Sequence, residues 1–239
     1  MYYFKGVFAG IPVTFGFMYT KTVRYYENWL IETDKTENCV IVPQWNIEYW
    51  QRQWNVSDPA VCEYAFSCGC ASDYLMQFNR VVFHGAAFLW NGKAYVFTAP
   101  SGTGKTTQLN LWKSLYDDEV TILNGDKPIL EVNHSEIIVH PSPWKGKEGM
   151  GTDDITAPLG GIIMLKQAKE NMIERKKPDD VIRHLFGRFY STYDSETLAY
   201  QAAHILEEIL KHVPVWMLSN KGDAASVLLT RQAMIEVAI

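Results

Sequence analysis

Apolar positions along this chain fall at two spacings, two apart in some stretches and three or four apart in others, and the alternation predicts its elements. Residues 94–98 are an apolar, β-branched and aromatic run that stops at Pro100. A glycine turn follows, then Leu109, Leu111 and Trp112 at helical spacing. The pattern reads strand, turn, helix. Upstream, residues 80–90 are apolar enough for one central strand, and Asn91-Gly92 is the two-residue signal of a hairpin that returns the chain into 94–98. Residues 1–17 predict two short strands around Gly10-Ile11-Pro12, residues 23–33 a further strand, and residues 39–42 a short buried one halted by Pro43. Ser57-Asp58-Pro59 reads as a helix start, followed by Val61, Tyr64, Ala65, Cys68, Ala71 and Leu75 on one face.

Beyond the first helix after the glycine turn, residues 120–123 predict a strand that delivers Asn124-Gly125-Asp126-Lys127. Residues 129–132 and 136–139 flank Asn133-His134-Ser135 as a second hairpin. Residues 141–157 carry prolines, glycines and charges and predict a long loop, a class that tends to be functional or mobile. A strand at 160–165, a charged surface turn at 169–177, a helix from Pro178 and a helix over 195–211 come next. A strand at 213–218 and a final helix over 223–239 complete the chain. The expected fold class is α/β with a mixed sheet, since hairpins alternate with one strand–turn–helix unit. The expected domains are a β-rich amino-terminal part with one helix (1–79) and a second unit over 80–239.

Composition narrows the function classes. The 239 residues include 22 basic and 27 acidic side chains, a net charge of −5, and no long basic run, so nucleic acid is not an expected partner. No apolar window reaches membrane-spanning length, and Met1-Tyr2-Tyr3-Phe4-Lys5-Gly6 is not a signal peptide, so the expectation is a cytoplasmic protein with no membrane partner. Oligomers are compatible with everything above. Cys39, Cys62, Cys68 and Cys70 lack C-x-x-C spacing and read as free thiols rather than a metal cluster.

The chemistry concentrates around the glycine turn. Ser101, Gly102, Thr103, Gly104, Lys105, Thr106 and Thr107 form a phosphate-binding loop candidate, in which backbone N–H groups and a helix N-terminus converge on one anion. Lys105 would reach the outer phosphates, and Thr106 would ligate magnesium. Ala99 stands where the G-x-x-x-x-G-K-[ST] pattern has glycine. Asp126, at the end of the next strand, is a candidate for metal binding or for orienting a nucleophile, or else the turn partner of Gly125. His84 precedes the hairpin and is either a satisfied core histidine or a catalytic one. Lys145 and Lys147, in Pro143-Trp144-Lys145-Gly146-Lys147-Glu148, are candidates for a clamp over phosphate, or an exposed charged turn. Asp153-Asp154 is a weaker metal candidate. Tyr25, Tyr26, Trp29, Trp45, Tyr49, Trp50 and Trp54 crowd the first part, suited either to acceptor recognition or to core packing.

The run His84-Gly85, hairpin, Ala99 to Thr106, strand, Gly125-Asp126 resembles the HPr serine kinase/phosphorylase family, over roughly residues 80–165. In pattern it is closer to the small HPr-kinase-like peptide kinases, which show similar Pro-Trp-x-Gly-Lys-Glu loops. The resemblance implies a phosphoenolpyruvate-carboxykinase-like P-loop fold and an ATP- and Mg²⁺-dependent kinase. The γ-phosphoryl would pass to a hydroxyl of a peptide, protein or small molecule. It gives Asp126 the role of activating that hydroxyl and places His84 near the catalytic centre. Gly125 replaces the first of the family's two acids, and the Arg-Gly-Leu-Gly segment linked to HPr recognition is absent. The alternative is a nucleotide-binding regulatory or assembly module without transfer activity.

Overall fold

The computed structural model describes residues 1–133, 136–192 and 194–236. The turn expected at His134-Ser135 and the helical end expected over 237–239 lie outside the described residues. Strands β1 (Tyr2–Phe8) and β2 (Ile11–Phe17) form the expected first hairpin. The strand expected at 23–33 is instead a 3₁₀ segment, Thr20–Trp29, broken at Glu27, followed by the two-residue β3 (Ile31–Glu32). Thr22 and Tyr26 turn the same way and are gripped by the helix they meet: Thr22 Oγ1 donates to Glu63, and the Tyr26 hydroxyl shares a hydrogen bond with Ser67. Glu63 and Ser67 stand one helical turn apart, about 6 Å, whereas residues 22 to 26 in an extended strand would span about 13 Å and overshoot them. β4 (Cys39–Ile41) lies parallel to β2 and gives the sheet order β3-β1-β2-β4.

Two helices follow rather than one: α1 (Gln44–Trp54) and α2 (Pro59–Met76). α2 starts as its sequence requires, with Asp58 Oδ1 accepting from the Ala60 N–H and Pro59 in the first turn. α1 buries only Ile47 fully, with Trp50 and Trp54 on the same face stacked on Phe66 of α2.

The expected central strand at 80–90 is two strands, β5 (Arg80–Val82) and β6 (Ala86–Trp90), which sit in different parts of one large sheet. β7 (Lys93–Thr98) returns antiparallel to β6 through Asn91 and Gly92, both at positive φ as a primed turn demands. Then come α3 (Lys105–Tyr116), β8 (Val120–Asn124), β9 (Ile129–Asn133), β10 (Glu136–His140) and the long β11 (Ala157–Gln167). The charged stretch expected to be a turn is an exposed strand, β12 (Met172–Lys176). Helices α4 (Pro178–Phe186) and α5 (Glu196–His212) precede β13 (Val215–Asn220), which pairs with β12 and lies parallel to β11; α6 (Ala224–Glu236) ends the described chain.

The nine-stranded sheet runs β5-β9-β10-β11-β7-β6-β8, with β13 and β12 attached along the second half of β11. Alternate residues of β7 face opposite ways: Ala94 and Val96 join a core with α4 and α5, while Tyr95 and Phe97 join one with α3 and α6. The four-stranded sheet and α2 share a third core with Val82, Ile129 and Trp144 of the large sheet and its loop. No helix among the described residues is long and apolar enough to cross a membrane.

Trp144 ties the layers together. It is 1% exposed, stacked on Phe8 at 5.6 Å and edge-on to Tyr26 at 5.9 Å. Trp144→Ala should lower unfolding stability by about 3–5 kcal/mol in urea titrations, the range for emptying a buried aromatic site; a loss below 1 kcal/mol would mean that the 141–156 loop is not docked on the first sheet.

Candidate active site

β6 is antiparallel to both β7 and β8, so the ends of β7 and β8 emerge at one sheet edge with the start of β6 between them. That topology brings the glycine turn, Gly125-Asp126 and His84-Gly85 together, the sort of strand-end crevice in which α/β proteins bind ligands. Gly85 is required by crowding: a Cβ there would lie 2.5 Å from Val96 Cγ1 and 3.0 Å from the Phe97 oxygen. Its N–H donates to the Asp126 carbonyl at 2.9 Å, while Thr98 Oγ1 donates to the His84 carbonyl at 2.8 Å.

The glycine turn spans Pro100 to Gly104, with Gly102 and Gly104 at φ of 77° and 113°. The first intrahelical bond of α3 is Gln108 N–H to the Gly104 oxygen, so the amides of Lys105, Thr106 and Thr107 are the helix's open N-terminal donors. Ala99 is buried in the core with Phe97 and Leu109 and is not at positive φ, so alanine fits where the pattern has glycine. Lys105 is 9% exposed, and its ammonium donates to the Ala99 carbonyl at 3.1 Å. Ser101, Gly102 and Thr107 are exposed, and Thr103, Gly104 and Thr106 are half-buried.

Asp126 sits on a turn built by a buried amide. Asn124 Oδ1 accepts from the N–H groups of Asp126 (2.9 Å) and Lys127 (2.7 Å), and its Nδ2 donates to the carbonyl and Oγ of Ser142. One Asp126 oxygen is paired with the Lys127 ammonium; the other lies 3.5 Å from His84 Nε2. Lys127 also lies 5.1 Å from the centre of the Tyr190 ring. A third cation comes from outside the region that sequence reasoning singled out. Residues 188–190 run beside 82–84, with His84 N–H donating to the Arg188 carbonyl and Tyr190 N–H to that of Val82. This places the Arg188 guanidinium within electrostatic range of His84 and Lys105. Among the described residues it has no carboxylate partner.

The titration behaviour follows from that crowd. Burial, then Lys105, Lys127 and Arg188, push the His84 imidazole down to about 4 against the pull of Asp126. The close His84–Asp126 approach is therefore between a carboxylate and a neutral ring. Burial lowers Lys105 as well, with Arg188 and Lys127 adding to it and Asp126 opposing. Lys105, Lys127 and Arg188 all act on His84 beside the single carboxylate of Asp126, and this surplus of positive charge suits a bound anion.

The 141–156 loop covers this edge. Gly125 N–H donates to the Met150 carbonyl, and Asn124 bridges to Gly151. Lys145 is largely buried and paired with Asp153 at 2.6 Å, and Asp153 also accepts from Trp29 Nε1. Lys147 is exposed. All four cysteines are free thiols, and among the described residues no group of three His, Cys, Asp or Glu side chains could hold a metal. A Cβ on Gly125 would lie 3.0 Å from the Lys145 oxygen and 3.3 Å from that of Met150, so a second carboxylate beside Asp126 would need the loop carbonyls to give by a few tenths of an ångström. The oxygen donors at hand, one carboxylate and the Thr106 hydroxyl, fit Mg²⁺ carried in with a nucleotide, since that ion keeps its waters and takes few protein ligands.

Of the residues singled out in the sequence, His84, Lys105 and Asp126 meet; Lys145 and Lys147 stand on the covering loop. Lys127, Arg188, Asn124 and Tyr190 were missed. No family model and no curated protein matches the chain significantly. Among solved structures, the HPr(Ser) kinase/phosphatase from Coxiella burnetii superposes with a TM-score of 0.39 at 10% identity, over 66% of this chain and 99% of that one. At that depth none of its residue roles transfers.

Two outcomes check this geometry. In the folded protein the His84 ring should titrate near pH 4 by NMR. Because that is below the unfolded value, the unfolded chain binds more protons between about pH 4 and 6.5, and stability should fall as pH is lowered through that window. His84→Asn should remove part of the slope, the remainder belonging to groups such as His140, which burial also pushes down. Gly125→Asp should lower stability by about 1–3 kcal/mol through overpacking against the loop carbonyls; an unchanged melting curve would show that the loop lifts freely.

Proposed function

We propose that the chain is an ATP-dependent phosphotransferase that moves the γ-phosphoryl group to a hydroxyl of a peptide, protein or small molecule. The observation that carries the reading is the surplus of cations, Lys105, Lys127 and Arg188, around Asp126 at the N-terminus of α3. The His84–Asp126 run, with its similarity to HPr-type kinases, supports the same choice.

In this reading the open amides of α3 and the glycine turn hold the nucleotide's phosphates. Lys105 leaves the Ala99 carbonyl for the outer phosphates, and Arg188 stabilises charge on the transferring group. Asp126 orients the acceptor hydroxyl and takes its proton as the new O–P bond forms, while the bond from the γ-phosphorus to the bridging oxygen breaks and ADP departs. Lys127 holds one oxygen of Asp126 beforehand, and neutral His84 faces the other. Thr106 and Asp126 would hold Mg²⁺, which would neutralise charge on the β- and γ-oxygens. Lys147, and Lys145 once released from Asp153, would close over the phosphates. A second reading, nucleotide binding without transfer, is favoured by the single acid at Gly125-Asp126 and by the Asp126–Lys127 pair.

Calorimetry with Mg·ATP and a turnover assay separate the two. Lys105→Ala should abolish most of the binding heat. Asp126→Asn should keep much of the affinity yet reduce turnover by about 10²–10⁴-fold, the span for a lost acid–base group. Binding with no turnover in the wild type selects the second reading, and no heat with any nucleotide overturns both.

A further inference from the structure

Next to the cation cluster lies a half-open groove of about 970 Å³, walled by β4, the start of α1, α2 and the chain following Tyr190. β4 is an edge strand. It pairs with β2 from Thr14↔Cys39 to Gly16↔Ile41, and among the described residues no strand or backbone hydrogen bond occupies its other side. Cys39, Val40 and Ile41 all line the groove. An open strand edge beside a concave surface is a template for an added strand.

The charge of the lining selects what could be added. It holds two carboxylates, Asp73 and Asp194, and no lysine or arginine. Asp73 is engaged, accepting from Ser191 Oγ and from the N–H and hydroxyl of Thr192, and so fastens that wall to α2. Asp194 is exposed. Trp45, 69% exposed, adds an indole that attracts cations. Tyr190 is part of the lining, and its ring lies 5.1 Å from Lys127 Nζ and 6.0 Å from the His84 ring.

We propose that this groove binds an extended, basic peptide segment as a strand added to β4, delivering a hydroxyl-bearing residue past Tyr190 to Asp126. The chemical outcome rests on the phosphotransfer reading; the binding does not.

The test uses the full chain, without nucleotide, and fluorescein-labelled nonapeptide pools with a central serine and apolar residues at alternate positions. One pool carries arginine at the remaining positions and the other glutamate. By anisotropy the arginine pool should bind, and the glutamate pool should bind at least about tenfold more weakly. Asp194→Lys and Trp45→Ala should each weaken binding by about tenfold while leaving the Mg·ATP heat unchanged. Methylating peptide nitrogens one at a time should impair binding at every second position, since alternate N–H groups face β4. No binding by either pool, indifference to charge sign or to both variants, or loss without alternation would overturn the proposal. So would a dimer by light scattering that the arginine pool does not dissociate, because a second copy would then own the edge. Intact peptide binding with no Mg·ATP heat and no phosphopeptide by mass spectrometry would instead sink the phosphotransfer reading alone.

Discussion

Asp126 answers three cations with one carboxylate, and much of the surrounding structure serves to hold that imbalance in place. Partly buried like charges repel in a medium less polar than water, so the arrangement works against the stability of the empty protein. It persists because other contacts fix each member. The β6 insertion aligns the ends of β7 and β8. The Asn124 amide sets the turn beneath Asp126, and pairing of residues 188–190 with 82–84 carries Arg188 to the site. Strain of this kind, maintained by well-satisfied neighbours, is what a site organised for an anion requires.

The covering loop ties this site to the amino-terminal sheet. Trp144 is buried among Phe8 and Tyr26 of the first part, while the loop's backbone closes over Gly125 a few residues on. One segment therefore shapes both the acid complement of the site and the packing of the first sheet. The aromatic residues of that part divide in two. Tyr26 is core, whereas Trp45, Tyr49 and Trp54 remain at the surface.

The strand, turn and helix around Lys105 were legible because β7 buries both faces and α3 opens straight after two glycines at positive φ. The hairpin at Asn91-Gly92 was legible for the same local reason. Features set by distant contacts were not. The 3₁₀ segment at Thr20–Trp29 depends on α2, α1 buries a single residue, and β12 is an exposed edge whose charges mimic a turn. The break between β5 and β6 is a change of sheet partner, visible in sequence only as Gly85. In the site, His84 and Asp126 could be read from local motifs. Arg188 could not, since it lies 62 residues beyond Asp126 in the chain and arrives through backbone pairing alone.

The surplus positive charge beside Asp126 should act as an anion site. Melting temperature against pyrophosphate concentration, for the wild type and Arg188→Gln, tests it most directly. The ligand should stabilise the wild type by about 2.7 kcal/mol at a hundredfold excess over Kd, a rise of roughly 5–10 °C. Without ligand, Arg188→Gln should melt at or above the wild type, because repulsion is relieved, and it should gain less from pyrophosphate. A variant that melts lower and gains as much, or a wild type that does not respond, would show that these cations do not form an anion site.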